Sequence, residues 1–212
     1  MAKDRFRWQP RLHQLQEVPA LVEDRLILSL CDASGVWPEP YEAAGYRVEC
    51  IDAARGDDVR FLRYPSRPVY GILAAPPCEK FSQWSRNMNG EPSREELLHA
   101  LSIVDACLRL VAVCRPVFWA LENPSGRLRD YLGRPSFTFD PADFGGYLQE
   151  GEARNGVEFD AYRKRTLLWG RFTPPQRRPV APVPGDWTTR TPPHLRSVTP
   201  LGFARAFMEA NP

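Results

Sequence analysis

The strongest constraint in this sequence is a series of short apolar runs, each ending on residues that can carry chemistry. "LILSLC" leads into Cys31–Gly35, "YRVECID" ends on Asp52, "YGILAAP" runs into Pro77–Cys78, and "VFWALEN" ends on Glu122–Asn123. Runs of this length and composition predict buried strands. Between the first two, "DASGVWPEPYEAAG" predicts a turn and then a helix closed by Gly45. Ser93–Glu96 reads as a capping box opening a second helix. Behind it Leu97, Leu101, Val104, Leu108 and Val111 recur in steps of four and three, an amphipathic stripe that ends near Cys114, before Pro116. "RTLLWG" predicts a later strand. Strands alternating with helices predict an α/β fold, a mostly parallel sheet with helices on both faces. In such folds ligands bind beyond the carboxyl ends of the strands, where these chemical residues gather.

A chain of 212 residues holds one such domain with a well-buried core. Residues 1–24 read as a basic extension and 25–212 as the domain. Eight of the 22 prolines fall between Pro174 and Pro200, so the excess describes one region, the Pro/Arg-rich segment 171–195, rather than the whole fold. The net charge of +2 does not by itself demand a nucleic-acid partner, although arginine outnumbers lysine and clusters at "RFRWQPR" and "PPQRRP". Five cysteines without a C-x-x-C pair, and only three histidines, argue against a metal site. The odd cysteine count, with no signal peptide or transmembrane run, leads us to expect a reducing cytoplasm and no membrane association. Cys107 and Cys114 sit in the helical pattern and read as core residues.

The succession "LSLCDASGVW", "ECID", "GDDV", "AAPPCEKFS", "WALENP", "YRKRTLLWG" and "RSVTPLGFAR" resembles the cytosine-C5 DNA methyltransferase family, in particular its short phage and prophage forms. The resemblance covers roughly residues 26 to 210, and its most specific parts are the Pro-Pro-Cys and Glu-Asn-Pro stretches in that order. It implies a Rossmann-like S-adenosylmethionine-dependent methyltransferase fold and transfer of a methyl group to C5 of a cytosine flipped out of DNA. It assigns Cys78 as the nucleophile that adds to C6, because C5 is a poor nucleophile until the ring is activated. It assigns Glu122 as a protonated acid near N3, and Arg163 and Arg165 as the spaced arginines that contact cytosine O2 and the nearby backbone. Ala161 stands where the family has glutamine before those arginines, and Pro124 where it has valine.

On the cofactor side the resemblance assigns S-adenosylmethionine to Cys31, Asp32, Ser34, Gly35, Val36, Asp52, Asp58, Val59 and Pro77. Gly35 allows close backbone approach, Asp52 is placed to accept from the ribose hydroxyls, and Asp58 and Val59 match the pair beside the adenine. The family's tenth motif has no clear counterpart, although "GFARAFMEANP" can be aligned to it loosely. The long segment that reads DNA in the family is reduced here to residues 171–195, whose Arg171, Arg177, Arg178 and Arg190 look suited to phosphates. The loop Phe81 to Asn89 is the other candidate for reading sequence. A non-catalytic DNA-binding module of the same fold, or an enzyme of the same chemistry acting on RNA or a free pyrimidine nucleotide, are the alternative readings.

Overall fold

The strands identified in the sequence pair as a single sheet in a computed structural model that describes residues 21–82 and 90–212. Residues 1–20 of the expected extension, and 83–89 of the loop 81–89, lie outside the described residues. The strands are β1 (Leu26–Leu30), β2 (Arg47–Ile51), β3 (Val69–Ala74), β4 (Phe118–Pro124), β5 (Phe137–Phe139) and β6 (Thr166–Arg171), in the order β2-β1-β3-β4-β6-β5. The first four pair in parallel. β6 runs antiparallel to both β4 and β5. The chain starts at β1, steps outward to β2, and returns on the other side of β1 as β3. That reversal leaves a crevice at the carboxyl ends of β1 and β3, the binding position of doubly wound sheets. The fold is Rossmann-like α/β, as expected. The three-residue β5 was not foreseen, because its Phe-Thr-Phe is too short to show a period.

Alternation along each strand sends successive side chains to opposite faces, except in β3, where a register shift after Val69 puts Tyr70 and Leu73 on the same side. Leu26, Leu28, Leu30, Ile72, Ala74 and Leu121 join one core, and Ile27, Tyr70, Leu73, Phe118 and Ala120 join the other. The first core is covered by the helix α2 (Arg94–Cys114), the second by α1 (Glu39–Ala43) and α6 (Leu201–Ala210). Three further short helices, α3 (Leu128–Leu132), α4 (Trp187–Arg190) and α5 (Pro193–Arg196), complete the described α-helices.

The capping box opens α2 as expected: Glu96 N donates to Ser93 Oγ at 3.1 Å and Ser93 N to Glu96 Oε2 at 2.8 Å. The stripe packs on the first core as expected, though most of it lies off the centre of the contact. The fully buried positions are Ala100, Val104, Ala106, Cys107, Leu110 and Cys114, while Leu97, Leu101, Leu108 and Val111 flank them half-buried. Small side chains face the sheet so that the helix can approach it, and the leucines seal the edges. Cys107 and Cys114 are core residues. By length and apolar content alone α2 could span a bilayer; here its apolar side packs on the sheet.

"GFARAFMEANP" forms α6, whose Phe203 stacks on Phe139 at 4.1 Å and whose Phe207 meets Trp37 edge-on at 5.8 Å. Each fully buried phenylalanine contributes about 1.5–3 kcal/mol, so this stretch works as core. Asn211 exchanges hydrogen bonds with the Thr173 backbone and its carbonyl accepts from Tyr41 Oη.

Candidate active site

The turn that carries Cys78 is held from both ends. Past β3, Ala75 N donates to Leu30 O, and the Asn123 amide donates to Pro76 O at 2.9 Å from the end of β4. Two prolines keep the approach extended. The chain then folds back, with Phe81 N and Ser82 N both donating to Cys78 O, and Phe81 buried beneath. Arg127 N donates to Phe81 O, and Ser82 bridges to Gly126. A Cβ on Gly126 would lie 2.0 Å from Phe81 O, so only glycine permits this latch between the cysteine turn and the segment after Glu122. The Glu-Asn-Pro stretch thus positions the Pro-Pro-Cys stretch directly, through Asn123 and Gly126.

Glu122 emerges on β4 with Oε2 shut off from solvent and without a hydrogen-bond partner. It caps no helix, since α3 begins only at Leu128 and uses no side-chain cap. Burial pushes its carboxyl up, nearby Asp32 pushes the same way, and Lys164 opposes both. Burial also pushes the Cys78 thiol up to about 11, with Lys164 again the largest opposing influence and Glu122 and Glu79 adding to the rise. A carboxyl and a thiol that both favour their neutral forms therefore share one cation.

That cation is the residue sequence reasoning missed. Glu122 pairs with Leu168 and Pro124 with Thr166 across the β4–β6 ladder, and Ser125 N donates to Arg165 O at 2.8 Å. Continuing this register puts Lys164 on the Glu122 side and Arg163 and Arg165 on the other. Lys164 is half-buried, and its Nζ donates to Arg196 O at 2.6 Å. Arg163 is exposed; Arg165 is exposed and paired with Asp140 at 3.1 Å. The two-residue period of "YRKRT" was the available signal, but it selects a face only once the pairing of β6 is known.

The residues assigned to a cofactor divide into two groups. Asp32 is buried and organises the turn after β1: it accepts from Ser34 Oγ at 2.5 Å, Gly35 N at 3.0 Å and Trp37 N at 3.3 Å. Ser34 Oγ in turn accepts from Val36 N, and Val36 is buried against Leu148 and Leu201. These three build the turn. Cys31, with φ +60, and Gly35, with φ +69, give it its shape. Asp52, Gly35 and Pro77 keep exposed surface at the carboxyl ends of the strands. Asp52 Oδ1 accepts from Ala54 N at 2.7 Å, and Oδ2 lies outside that bond. Asp58 is different: the Arg60 guanidinium grips both its oxygens and holds its carboxyl down at about 2, and Arg60 also touches His99. Val59 is buried in the core. Among the described residues no cluster of side chains could hold a metal ion.

The arginines of the Pro/Arg-rich segment need correction. Arg171 donates to Pro116 O, Arg177 to Thr138 O and pairs with Asp143, and Arg178 lies over the Tyr147 ring and pairs with Glu209. Each therefore has a contact within its own chain, those of Arg177 and Arg178 with acids at the surface. The backbone explains why: Arg178 N, Val180 N and Val183 N donate to Asp143 O, Ala142 O and Ala161 O, so the segment is strapped down rather than free.

No family model matches the sequence, and no curated protein matches it. Among solved structures, the chain is similar to the crystal structure of a protein described as a DNA modification methyltransferase encoded within a prophage (E. coli). The identity is 18% and the TM-score 0.45, over 74% of this chain; the match spans about half, 53%, of that structure.

Proposed function

We propose that this chain transfers a methyl group from S-adenosylmethionine to C5 of cytosine in DNA, through a covalent bond between Cys78 Sγ and C6. The observation that carries the proposal is the Glu122 carboxyl beside the Cys78 turn, with its Oε2 shut off from solvent and unpartnered, and both groups under the influence of Lys164. An acid kept neutral by burial is what a hydrogen bond to cytosine N3 requires. The motif resemblance supports DNA as the substrate.

Cys78 gives its proton to water as Sγ bonds to C6, and the C5–C6 π pair moves toward C5 while Glu122 gives its proton to N3. Lys164 stabilises the thiolate and then the electron-rich ring, a role its tether to Arg196 O prepares by holding the amine in place. S-adenosylmethionine, when bound, supplies an electrophilic methyl group on a sulfonium sulfur. That methyl would pass to C5 and leave the cofactor as its thioether; once C5 is methylated, a base in solution removes the C5 proton, the Sγ–C6 pair returns to sulfur, which takes a proton from water, and N3 returns its proton to Glu122. Arg163, exposed beside the site, serves the nucleic-acid backbone, and Arg165 does so once it leaves Asp140.

The residues at the switch point fit the cofactor in part. Asp52 has an oxygen to offer to ribose hydroxyls and Pro77 is exposed, while the Arg55 guanidinium lies against Gly35 and donates to Ala33 O, so close approach there requires it to move. The adenine-side contact assigned to Asp58 requires Arg60 to release it.

Incubating the protein with methyl-labelled S-adenosylmethionine and, side by side, duplex DNA, RNA and dCMP tests the proposal. Label is expected in 5-methylcytosine of the duplex. Label in RNA or dCMP alone would replace the substrate, and no label in any arm would overturn the reading. Lys164→Met keeps the stem and removes the charge. It is expected to lower turnover by about 10²-fold to 10³-fold and to slow alkylation of Cys78 further at any given pH below 11, read by peptide mass spectrometry.

A further inference from the structure

Phe159 and Asp160 both take left-handed backbone angles, with φ +57 and +49. Neither is glycine, and two such residues in succession persist only where surrounding contacts hold them. Asp160 carries a second cost. Its carboxyl is completely buried; burial pushes it up, while donors from Gly202 and Asn155 pull the other way. Fold stability alone gives no reason to keep a buried acid on a strained backbone, and such local violations mark functional places.

The contacts that hold this loop are specific. Asp160 Oδ2 accepts from Gly202 N, in the first turn of α6, at 2.9 Å, and Oδ1 accepts from Asn155 Nδ2 at 2.8 Å. The same Nδ2 donates to Tyr162 Oη at 2.8 Å, and Tyr162 N donates back to Asp160 O at 2.7 Å. Asn155 and Tyr162 are buried as well. Three buried polar side chains thus satisfy one another and fasten the loop to α6.

What they fasten is the approach to β6. That strand begins at Thr166, and Ser125 N meets Arg165 O, so strand pairing stops one residue short of Lys164. On the other side, Tyr162 O accepts from Ala142 N at 3.2 Å, and the Lys164 amine is tethered to Arg196 O. Burial pushes the Tyr162 hydroxyl up, and the charges of Asp160 and then Glu122 add to the rise, so the cluster borders the catalytic site.

We propose, resting on the role given to Lys164 above, that Asp160 is a positioning residue: its buried carboxyl, through Asn155 and Tyr162, sets the backbone from which Lys164 acts on Cys78 and Glu122. A misplacement of about 1 Å costs on the order of 10²-fold in rate, and the fastened loop prevents it.

Asp160→Asn keeps the size and turns one oxygen into an amide nitrogen, which meets the Gly202 or Asn155 N–H donor against donor. Turnover is expected to fall about 10-fold to 100-fold, with KM for both substrates unchanged. Iodoacetamide alkylation of Cys78 across pH, followed by peptide mass spectrometry, gives a readout that lost stability does not move, and it needs no methyl transfer. Of the groups that act on the thiol, Lys164 lowers it and Glu122 and Glu79 raise it. With Lys164 displaced, alkylation at a given pH below about 11 is expected to slow by about 3-fold to 10-fold. In the Lys164→Met background Asp160→Asn is expected to slow it no further. Tyr162→Phe removes one acceptor, leaves the packing, and is expected to slow alkylation about twofold; it decides the matter where thermal melts show Asp160→Asn unfolded. An unchanged profile in a folded variant, or equal slowing with and without Lys164, would overturn the inference and leave the methyltransferase reading standing. The expected alkylation pattern in a protein that methylates nothing would do the reverse.

Discussion

Cys78→Ser yields a folded protein that binds DNA and transfers no methyl group. The hydroxyl replaces the thiol with little change in size, so the Asn123 and Gly126 contacts that hold the turn are unaffected. An alcohol is a far weaker nucleophile toward C6, and loss of an essential nucleophile costs about 10⁴-fold to 10⁶-fold. A duplex containing 5-fluorocytosine should capture the wild-type protein as a covalent band on a denaturing gel, because fluorine cannot leave as a proton does, and should capture none of the variant. The titration adds a second readout. With the thiol pushed up to about 11 by burial, alkylation of Cys78 by iodoacetamide should rise about tenfold per pH unit through pH 10. At pH 8 it should run about 100-fold slower than for an ordinary thiol. A fully active serine variant would remove the covalent mechanism.

Glu122→Gln separates catalysis from stability. Glutamine fills the same space and can hydrogen-bond N3, but it cannot give up a proton, so turnover should fall by about 10²-fold to 10⁴-fold. Stability should move the other way. Burial raises the carboxyl of Glu122 in the folded state above its unfolded value, so the folded protein prefers the neutral acid. The resulting cost is absent below the unfolded value of about 4.3 and grows as pH rises through the folded one. The variant should therefore match the wild type near pH 4 and melt higher at neutral pH, by about 2–4 °C for each 1 kcal/mol relieved in a chain of this size. Calorimetry at both pH values, beside a turnover assay, checks the pair of effects. Equal turnover in the two proteins would mean that Glu122 does not act as the acid.

The strands, the capped helix and the order of Pro-Pro-Cys and Glu-Asn-Pro were legible because each depends on neighbours within a turn or a strand. Ser93 and Glu96 close their box over three residues, and the apolar runs announce burial by composition alone. The cofactor turn was legible as a place but not as a set of roles. Asp32 and Ser34 spend their oxygens on the turn itself, and Asp58 is taken by Arg60, a partner no motif points to.

Local periodicity and turn chemistry, carried by the sequence itself, determined that this protein is an α/β sheet with its reactive residues at strand ends. Which residues meet there was decided by contacts between distant parts of the chain. Antiparallel pairing of β6 with β4 turns Lys164 toward Glu122 and its two arginine neighbours away, a choice that a one-residue slip would invert. Gly126 against Phe81 O latches the cysteine turn, and the strap bonded to Ala142, Asp143 and Ala161 seats Arg177 beside Asp143 and Arg178 beside Glu209. The reason is physical: a side chain's direction follows from its backbone register, and register is settled by hydrogen bonds and burial between segments far apart in sequence.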